Sequence, residues 1–322
     1  MKVLVTDAEY ESLDLERGVV EAAGHEFAVA SCRTAEDVIA AGSGVSAMLV
    51  QYAPITAEVF DALPDLRVVS RYGVGVDGVD LDAARRHGVW VTNVPDYGVS
   101  EVAMHAVAML LALLRNLAGH DREVRAGRWD YHLGGVLPRV DRLTLGVLGL
   151  GRIGRLVQER VSPWFGSCVG YDPLLPDTAW PGNVERLDLP ELFERSHAVT
   201  LHLPLTSETS GLVGKDLLDR LPPGSYLVNT ARGGLVDLDA VLAALEDGRL
   251  AGVGLDVLPT EPPGNHPLLQ HERALITPHM AWYSDGSEVE LRRKAAENVV
   301  EWARTGRPTY PVVEGSSAAS GG

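Results

Sequence analysis

Cysteine is scarce in this sequence, with two among 322 residues, Cys32 and Cys168. Because they stand far apart and form no CxxC pair, neither a disulfide framework nor a zinc knuckle is expected. No spacing of His, Cys and Asp suggests another kind of metal site. The composition therefore favours a protein without a metal, in a reducing cytoplasm.

Positive charge is also in short supply, since 28 Lys and Arg residues stand against 44 Asp and Glu residues and the formal net charge is −16. The basic residues form no block, so no nucleic-acid partner is expected. Long apolar runs are missing too. The longest, Val102 to Leu114, is interrupted by His105 and too short for a bilayer, and MKVLVTDAEY lacks the features of a signal peptide. We expect a buried helix there and no membrane partner.

What the sequence does contain is a regular alternation of strand-like and helix-like runs. The strand-like runs KVLVT, EFAVA, SAMLV, LRVVS and VWVTN come first, and LTLGVLGLG, CVGYD, AVTLHLP, SYLVNT, AGVGLDV and ALITP form a second series. Short apolar strands separated by single helices predict parallel sheets with helices on both faces. A length of 322 residues favours two domains. We predict an α/β protein of two doubly wound units, the second with six strands, and a disordered tail, EGSSAASGG.

The pattern G-x-G-x-x-G occurs twice, at Gly73–Gly78 and at Gly149–Gly154, each time between a strand and a helix. Charge separates the two loops, because a dinucleotide pyrophosphate is an anion that binds at a helix N-terminus. The first loop contains Asp77, whereas the second is flanked by Arg152 and Arg155. The second loop is therefore the predicted cofactor site.

An acid, Asp172, follows the next strand eighteen residues after Gly154, near the spacing expected for a contact with the cofactor ribose. No arginine stands beside it to hold a 2′-phosphate, which favours NAD over NADP.

The first loop, Gly73–Gly78, is then not the cofactor site and needs another function. Its backbone amides, with Arg71, suit a small anion, although a simple tight turn is an alternative interpretation.

Three side chains suited to carbonyl reduction follow strands of the second unit: Arg232, Glu261 and His279. Reduction of a ketone needs a cation to orient the substrate carboxylate and an acid to protonate the forming alkoxide. Histidine titrates near neutral pH, and a neighbouring carboxylate favours its charged form. Singly, each residue is more often a surface or core residue. Together, at strand ends of a cofactor-binding fold, they predict an active site with His279 as proton donor.

The motifs VGVDGVD, NVPDYGVSEVA, GLGRIG, TLHLPLT, NTARGGLVD, LDVLPTEPP and TPHMAWYS follow one another along the chain. In this order they resemble the D-isomer-specific 2-hydroxyacid dehydrogenase family. The resemblance implies a flavodoxin-like substrate domain, residues 1–97 and 283–322, into which a Rossmann NAD-binding domain, residues 98–282, is inserted. It also implies an active site in the cleft and a homodimer formed through the NAD domain.

The same resemblance implies roles for individual residues. Arg232, Glu261 and His279 match the catalytic arginine, glutamate and histidine, and Val74 and Gly75 supply amides to the substrate carboxylate. The residues implied to bind the cofactor are Gly149, Gly151, Arg152, Ile153, Gly154, Asp172, Pro204, Thr209, Thr230, Ala231 and Asp256.

Within the family, NVPDYGVSEVA and HMAWYS are most similar to the C-terminal-binding-protein branch, whose animal members are NAD(H)-sensing corepressors. In that branch the residues matching Arg71 and Trp282 contact the substrate. Two departures from the family pattern are Met104, where an acid is common, and the Leu258-Pro259 loop.

The leading functional prediction is an NAD-dependent enzyme that reduces a 2-keto acid to the D-2-hydroxy acid, or runs the reverse. Its substrate is a small anion. Two alternatives remain open: an NAD(H)-sensing binding protein of the corepressor kind, and a dehydrogenase of phosphite or of a phosphorylated hydroxy acid.

Overall fold

The computed structural model describes residues 1–316, so the predicted tail lies, from residue 317 onward, outside the described residues. The strands in this part of the chain are β1 (Lys2–Val5), β2 (Glu26–Val29), β3 (Ala47–Val50), β4 (Val68–Arg71), β5 (Trp90–Thr92), β6 (Thr144–Leu148), β7 (Ser167–Tyr171), β8 (Glu185–Arg186), β9 (Ala198–Leu201), β10 (Ser225–Asn229), β11 (Leu250–Leu255), β12 (Ala274–Ile276) and β13 (Pro311–Val313).

The α-helices are α1 (Asp14–Ala22), α2 (Ala35–Ala41), α3 (Ala57–Ala62), α4 (Leu81–His87), α5 (Val99–Leu114), α6 (Leu117–Arg125), α7 (Arg152–Val161), α8 (Leu189–Arg195), α9 (Lys215–Leu218), α10 (Leu238–Glu246) and α11 (Asp285–Thr305). The chain divides into two compact units. The first unit is Met1–Gly98 with the segment from Ser284 onward, and the second is Val99–Tyr283. The ligand of each unit stays a prediction.

The first unit is built on a sheet of order β13-β5-β4-β3-β1-β2. Strands β1 to β5 are parallel, in the 2-1-3-4-5 order of flavodoxin-like folds. All four residues of β3 are buried, as expected for a strand covered on both faces. On one face, Leu4, Met48 and Val69 join an apolar cluster with residues of α2, α3 and α4. The short strand β13 pairs antiparallel with β5, which the sequence analysis did not predict.

The second unit is built on a parallel sheet of order β12-β11-β10-β9-β6-β7-β8. The structure confirms two parallel-sheet α/β units, but the count of six strands in the second was wrong. The seventh, β8, has two exposed residues, Glu185 and Arg186, and therefore carries no apolar signal. The strand order reverses between β6 and β9. Ligands of open α/β sheets bind at the carboxyl ends of the strands at such a reversal.

The apolar run that the sequence analysis interpreted as a buried helix is α5, which packs against β10, β11 and α7. Its buried face contains Ala103, Ala106, Met109, Leu110 and Leu114. Within residues 1–316, no single helix is both long and apolar enough to cross a membrane; α5 and α6 reach that length and composition together, as a pair bent by 59°.

Candidate active site

The second glycine loop is packed so closely, against the backbone of His202 and within itself, that side chains are excluded at two positions. Gly149 follows β6 with φ of +88°, and a Cβ there would lie 2.7 Å from the carbonyl carbon of His202. A Cβ at Gly154 would overlap with the carbonyl oxygen of Gly149. At Gly151, in contrast, the space within 4 Å of a Cβ is empty among the described residues. The loop is thus tight on its inner side and open at Gly151.

The N-terminus of α7 meets the requirements of a pyrophosphate site. Gly151 is the N-cap, and within the described chain no side chain caps the first turn, so its N–H groups can bind an anion. Arg155 fixes the loop by donating to the carbonyl oxygens of Leu150, at 3.1 Å, and Ala179, at 2.5 Å. The first turn also contains Ile153, whose side chain packs on the apolar core.

The helix after the first glycine loop is different, because its N-terminus is already capped by a carboxylate. Asp80 is the N-cap of α4 and accepts a hydrogen bond from the N–H of Ala83 at 2.8 Å. A second anion at this helix end would meet that negative charge. The two helix ends therefore differ in charge, as the loops do in sequence, and the binding of the cofactor at the second loop stays a prediction.

Asp172 lies beside the open glycine loop, directly after β7. Its Oδ2 accepts from the N–H of Leu150 at 2.8 Å, and its Oδ1 accepts from the N–H of Leu174 at 2.9 Å. Each carboxylate oxygen can accept a further hydrogen bond, so both remain able to accept from ribose hydroxyls. Their negative charge disfavours a phosphate at the same place.

The first glycine loop, in the other unit, is shaped by Arg71. Gly73 has φ of +131°, and a Cβ there would overlap with the Arg71 guanidinium. The carbonyl oxygens of Gly73 and Val74 accept from Val94 N at 2.9 Å and from Asn93 Nδ2 at 2.6 Å. These bonds fix the loop that contains Gly75. The binding of a substrate carboxylate by Arg71, Val74 and Gly75 stays a prediction.

His279 and Glu261 are joined by a hydrogen bond. His279 Nδ1 lies 2.6 Å from Glu261 Oε2, and the two side chains are 37% and 36% exposed. Glu261 Oε1 also accepts from Leu258 N at 2.9 Å. Burial pushes the pKa of Glu261 upward, but hydrogen bonds from His279 and Leu258 and the charges of His279 and Arg232 outweigh it and lower the pKa below its usual value. The pairing commits Nδ1, so Nε2 is the ring nitrogen that can serve a substrate.

The turn that carries His279 has an unusual backbone, because His279 has φ of 51°. Its N–H donates to the carbonyl oxygens of Asp256, at 2.7 Å, and Thr277, at 3.0 Å. The Asp256 side chain, 1% exposed, accepts from Thr277 Oγ1 at 2.6 Å, Met280 N at 2.9 Å and Ala281 N at 2.9 Å. Its contact with a nicotinamide stays a prediction, whereas its support of this turn is a feature that the sequence analysis missed.

Arg232 follows β10, and its loop is held by the buried Asn229. The Asn229 side chain donates to the carbonyl oxygen of Arg232 at 2.8 Å and accepts from Ala231 N at 3.0 Å. A Cβ at Gly233 would overlap with the carbonyl of Leu258, so this loop touches the loop before Glu261. The three predicted chemical groups therefore share one region, where the charge of Arg232 helps to lower the pKa of Glu261.

The remaining predicted residues lie around the same sheet edge. The carbonyl oxygen of Pro204 accepts from Thr209 Oγ1 at 2.7 Å. Thr230 is buried, and within the described residues its hydroxyl has no hydrogen-bond partner. Trp282 donates from Nε1 to the carbonyl oxygen of His279 at 3.1 Å and so adds a hydrogen bond to this turn. Residues 1–316 contain no cluster of three His, Cys, Asp or Glu that could hold a metal ion.

Comparison with known proteins identifies the family. Residues 107–281 match the model of the D-isomer specific 2-hydroxyacid dehydrogenase, NAD binding domain. The D-3-phosphoglycerate dehydrogenase of Mycobacterium bovis is 39% identical over 272 residues, which cover 84% of this chain and 50% of that protein. The glyoxylate reductase of Thermofilum pendens is 38% identical over 252 residues, 76% of this chain and 72% of that protein.

Among solved structures, a D-lactate dehydrogenase of Aquifex aeolicus complexed with NAD and lactic acid is similar, with a TM-score of 0.85 and 27% identity. That similarity covers 94% of this chain and 95% of the other. The chain spans about half the length of the mycobacterial relative, at 50%. The likeness to the reductase and the lactate dehydrogenase extends over most of each protein. The chain belongs to the D-isomer-specific 2-hydroxyacid dehydrogenase family.

Proposed function

We propose that this chain is an NAD-dependent oxidoreductase that reduces a 2-keto acid to the D-2-hydroxy acid, or runs the reverse. The observation that carries the proposal is the pair of His279 and Glu261, joined at 2.6 Å on the sheet whose glycine loop leaves the α7 N-terminus uncapped. A proton donor and a dinucleotide cradle on one sheet are what such a reduction requires.

NADH, when bound, supplies the hydride for the carbonyl carbon. In our proposal His279 donates the Nε2 proton to the carbonyl oxygen, so the alkoxide never accumulates. Glu261 holds the imidazole by Nδ1, which leaves Nε2 for the substrate. Arg232 and the amides of Val74 and Gly75 bind the substrate carboxylate, with Arg71 and Trp282 beside the substrate. In the reverse direction His279 accepts the proton as the base.

The cofactor is proposed to lie on the second unit, residues 98–282 by our assignment, and the substrate on the first. The pyrophosphate would be bound by the N–H groups of Arg152 and Ile153, next to Gly149, Gly151 and Gly154. Asp172 would accept from the ribose hydroxyls. The residues proposed to line the rest of the dinucleotide are Pro204, Thr209, Thr230, Ala231 and Asp256.

The test is NADH consumption by the purified chain with pyruvate, glyoxylate, hydroxypyruvate, phenylpyruvate and 3-phosphohydroxypyruvate, and NAD reduction with phosphite. We expect turnover with at least one unphosphorylated keto acid. Tight NADH binding without turnover of any compound would instead favour an NAD(H) sensor, the role of the C-terminal-binding-protein branch.

A second candidate substrate is a phosphorylated hydroxy acid, favoured by the 39% identity to a D-3-phosphoglycerate dehydrogenase. The extra phosphate needs cations beyond the carboxylate site. A kcat/KM for 3-phosphohydroxypyruvate far above that for hydroxypyruvate would support this candidate.

We also propose that the chain forms a homodimer through the NAD-binding unit. Large apolar side chains are exposed in the segment after α6, among them Trp129 at 89% and Val136 at 100%. Exposed apolar clusters of this kind usually mark an interface. Light scattering of the purified chain should give twice the mass of one chain; the mass of a single chain would refute the dimer.

Two substitutions in the glycine loop should affect different properties: Gly154→Ala should lower the Tm, and Gly151→Ala should lower the affinity for NADH. Gly154→Ala forces a methyl group onto the backbone of Gly149, and overpacking of this kind costs about 1–3 kcal/mol. Its Tm should therefore fall by several degrees, at ~2–4 °C per kcal/mol. Gly151→Ala meets empty space and has φ of −70°, so its Tm should not change. Instead, NADH affinity should fall by about tenfold, because the methyl group displaces the pyrophosphate. Equal Tm values for the two variants would contradict this account of the loop.

Asp172→Ala should weaken NADH binding and relax the preference for NADH over NADPH. A charge-assisted hydrogen bond contributes about 1.5–3 kcal/mol, so the preference should fall by on the order of tenfold or more. The measurement is kcat/KM with each cofactor. Asp172→Asn is the control, because it keeps an acceptor for Leu150 N without the charge. If the preference for NADH over NADPH stays the same in both variants, Asp172 does not bind the ribose hydroxyls.

A further inference from the structure

His105 makes a polar contact at the turn that carries His279, although it belongs to the apolar helix α5. Its side chain is 20% exposed, and its Nε2 lies 3.0 Å from Thr277 Oγ1. The same nitrogen is 3.6 Å from Asp256 Oδ1, which is too long for a hydrogen bond. The link from α5 to Asp256 therefore passes through the threonine hydroxyl.

The direction of this link follows from counting protons. Thr277 Oγ1 is 2.6 Å from Asp256 Oδ1, and an ionised carboxylate can only accept. The single hydroxyl proton of Thr277 is therefore donated to Asp256. Because that proton is used, the hydroxyl accepts from His105, so Nε2 of His105 bears a proton. The chain runs one way, from His105 through Thr277 to Asp256.

This chain ends on the group that shapes the His279 turn. Asp256 Oδ1 also accepts from Met280 N at 2.9 Å, and Oδ2 accepts from Ala281 N at 2.9 Å. These residues follow His279. Its φ of 51° lies in the left-handed region, which residues other than glycine rarely adopt. A disfavoured backbone persists when its surroundings hold it from several sides.

We propose that His105 is a positioning residue for the proton donor: its Nε2–H orients the Thr277 hydroxyl toward Asp256, and Asp256 fixes the turn that sets His279 against Glu261. His105 acts through two other side chains. This inference rests on the proposed reduction for its kinetic consequence, while the hydrogen-bond chain is a structural claim with its own readout.

The kinetic test uses His105→Leu and Thr277→Val, which remove the first and the middle hydrogen bond while keeping similar volume. The conservative partners are His105→Gln, which keeps an N–H donor, and Thr277→Ser, which keeps the hydroxyl. The first two variants should lower kcat by about tenfold to a hundredfold, the range expected for a misplaced catalytic group. NADH affinity should change by less than about threefold, because a loosened turn leaves the glycine loop intact. His105→Gln and Thr277→Ser should recover most of the lost turnover.

Three results support positioning over a merely structural role. The solvent isotope effect on kcat should rise in His105→Leu, because proton donation becomes slower than the other steps. The double variant His105→Leu/Thr277→Val should be no worse than the poorer single variant, because both break one chain. Circular dichroism should remain that of the wild type. Unchanged kcat in His105→Leu, or an equal loss in His105→Gln, would overturn the proposal.

A separate readout keeps this inference distinct from the proposed function. In ¹⁵N-histidine NMR of the wild type, His105 should show a protonated Nε2. The ring signals of His279 should move in His105→Leu and return in His105→Gln. If the wild type reduces no keto acid and these signals still behave as stated, the proposed reaction is wrong. The positioning of His279 by His105 is then still supported. An unprotonated His105 Nε2 would refute the chain itself.

Discussion

Replacing His279 by asparagine should lower kcat for keto-acid reduction by about 10²- to 10⁴-fold, the usual contribution of a positioned general acid. Asparagine is chosen because it tolerates the left-handed backbone that His279 adopts, at φ of 51°, better than alanine does. The turn should therefore keep its shape while the proton donor is lost. Steady-state kinetics give kcat, and NADH fluorescence titration should show affinity within about threefold of the wild type.

The control is His87→Asn, since His87 forms a similar pair with Asp61, at 2.9 Å, in the other unit. The same chemical change there should leave kcat unaltered. If His279→Asn retained wild-type turnover, the proton would come from another group or from water. If both variants lost activity equally, the effect would reflect stability, and the Tm of each variant would show it.

Replacing Arg232 by glutamine should raise KM for the keto acid and lower kcat together, with a loss in kcat/KM of about 10²- to 10³-fold or more. Arginine binds a carboxylate by two parallel hydrogen bonds, and glutamine keeps polarity without the charge or the fork. Arg232→Lys restores the charge alone and should recover part of the loss. The measurement is kcat and KM for each variant at saturating NADH.

Arg186→Gln is the control for the loss of an arginine, because Arg186 pairs with Asp177 on the surface at 2.6 Å. It should have wild-type kinetics, as surface ion pairs contribute little. An Arg232→Gln variant with unchanged KM would remove Arg232 from the substrate site. If only the pH dependence of kcat changed, Arg232 would act by lowering the pKa of Glu261 and not by binding the substrate.

The sequence was sufficient wherever the signal was local. The choice between the glycine loops followed from charges within a few residues of each loop, and the structure adds the reason that Asp80 already caps α4. The meeting of Arg232, Glu261 and His279 could be expected because all three follow strands of one parallel sheet, whose carboxyl ends meet at one edge. The apolar face of α5 was visible in its composition.

Other features depended on contacts between distant residues. His105 and Thr277 are 172 positions apart, and no pattern around either residue indicates the hydrogen bond between them. The left-handed backbone of His279 is imposed by Asp256 and by neighbouring carbonyl groups. The short strand β8 was missed because two exposed polar residues in a strand carry no periodic signal.

The crowding at the inner side of the second glycine loop has a consequence for protein engineering. Gly149 and Gly154 have no room for any side chain, so a mutagenesis library aimed at a different cofactor gains nothing from varying them. The side chain of Leu174, beside Asp172, is 83% exposed, so this position accepts side chains of any size, although proline would remove the N–H that donates to Asp172. A library that varies positions 172 and 174 and keeps both glycines therefore contains more variants that still fold.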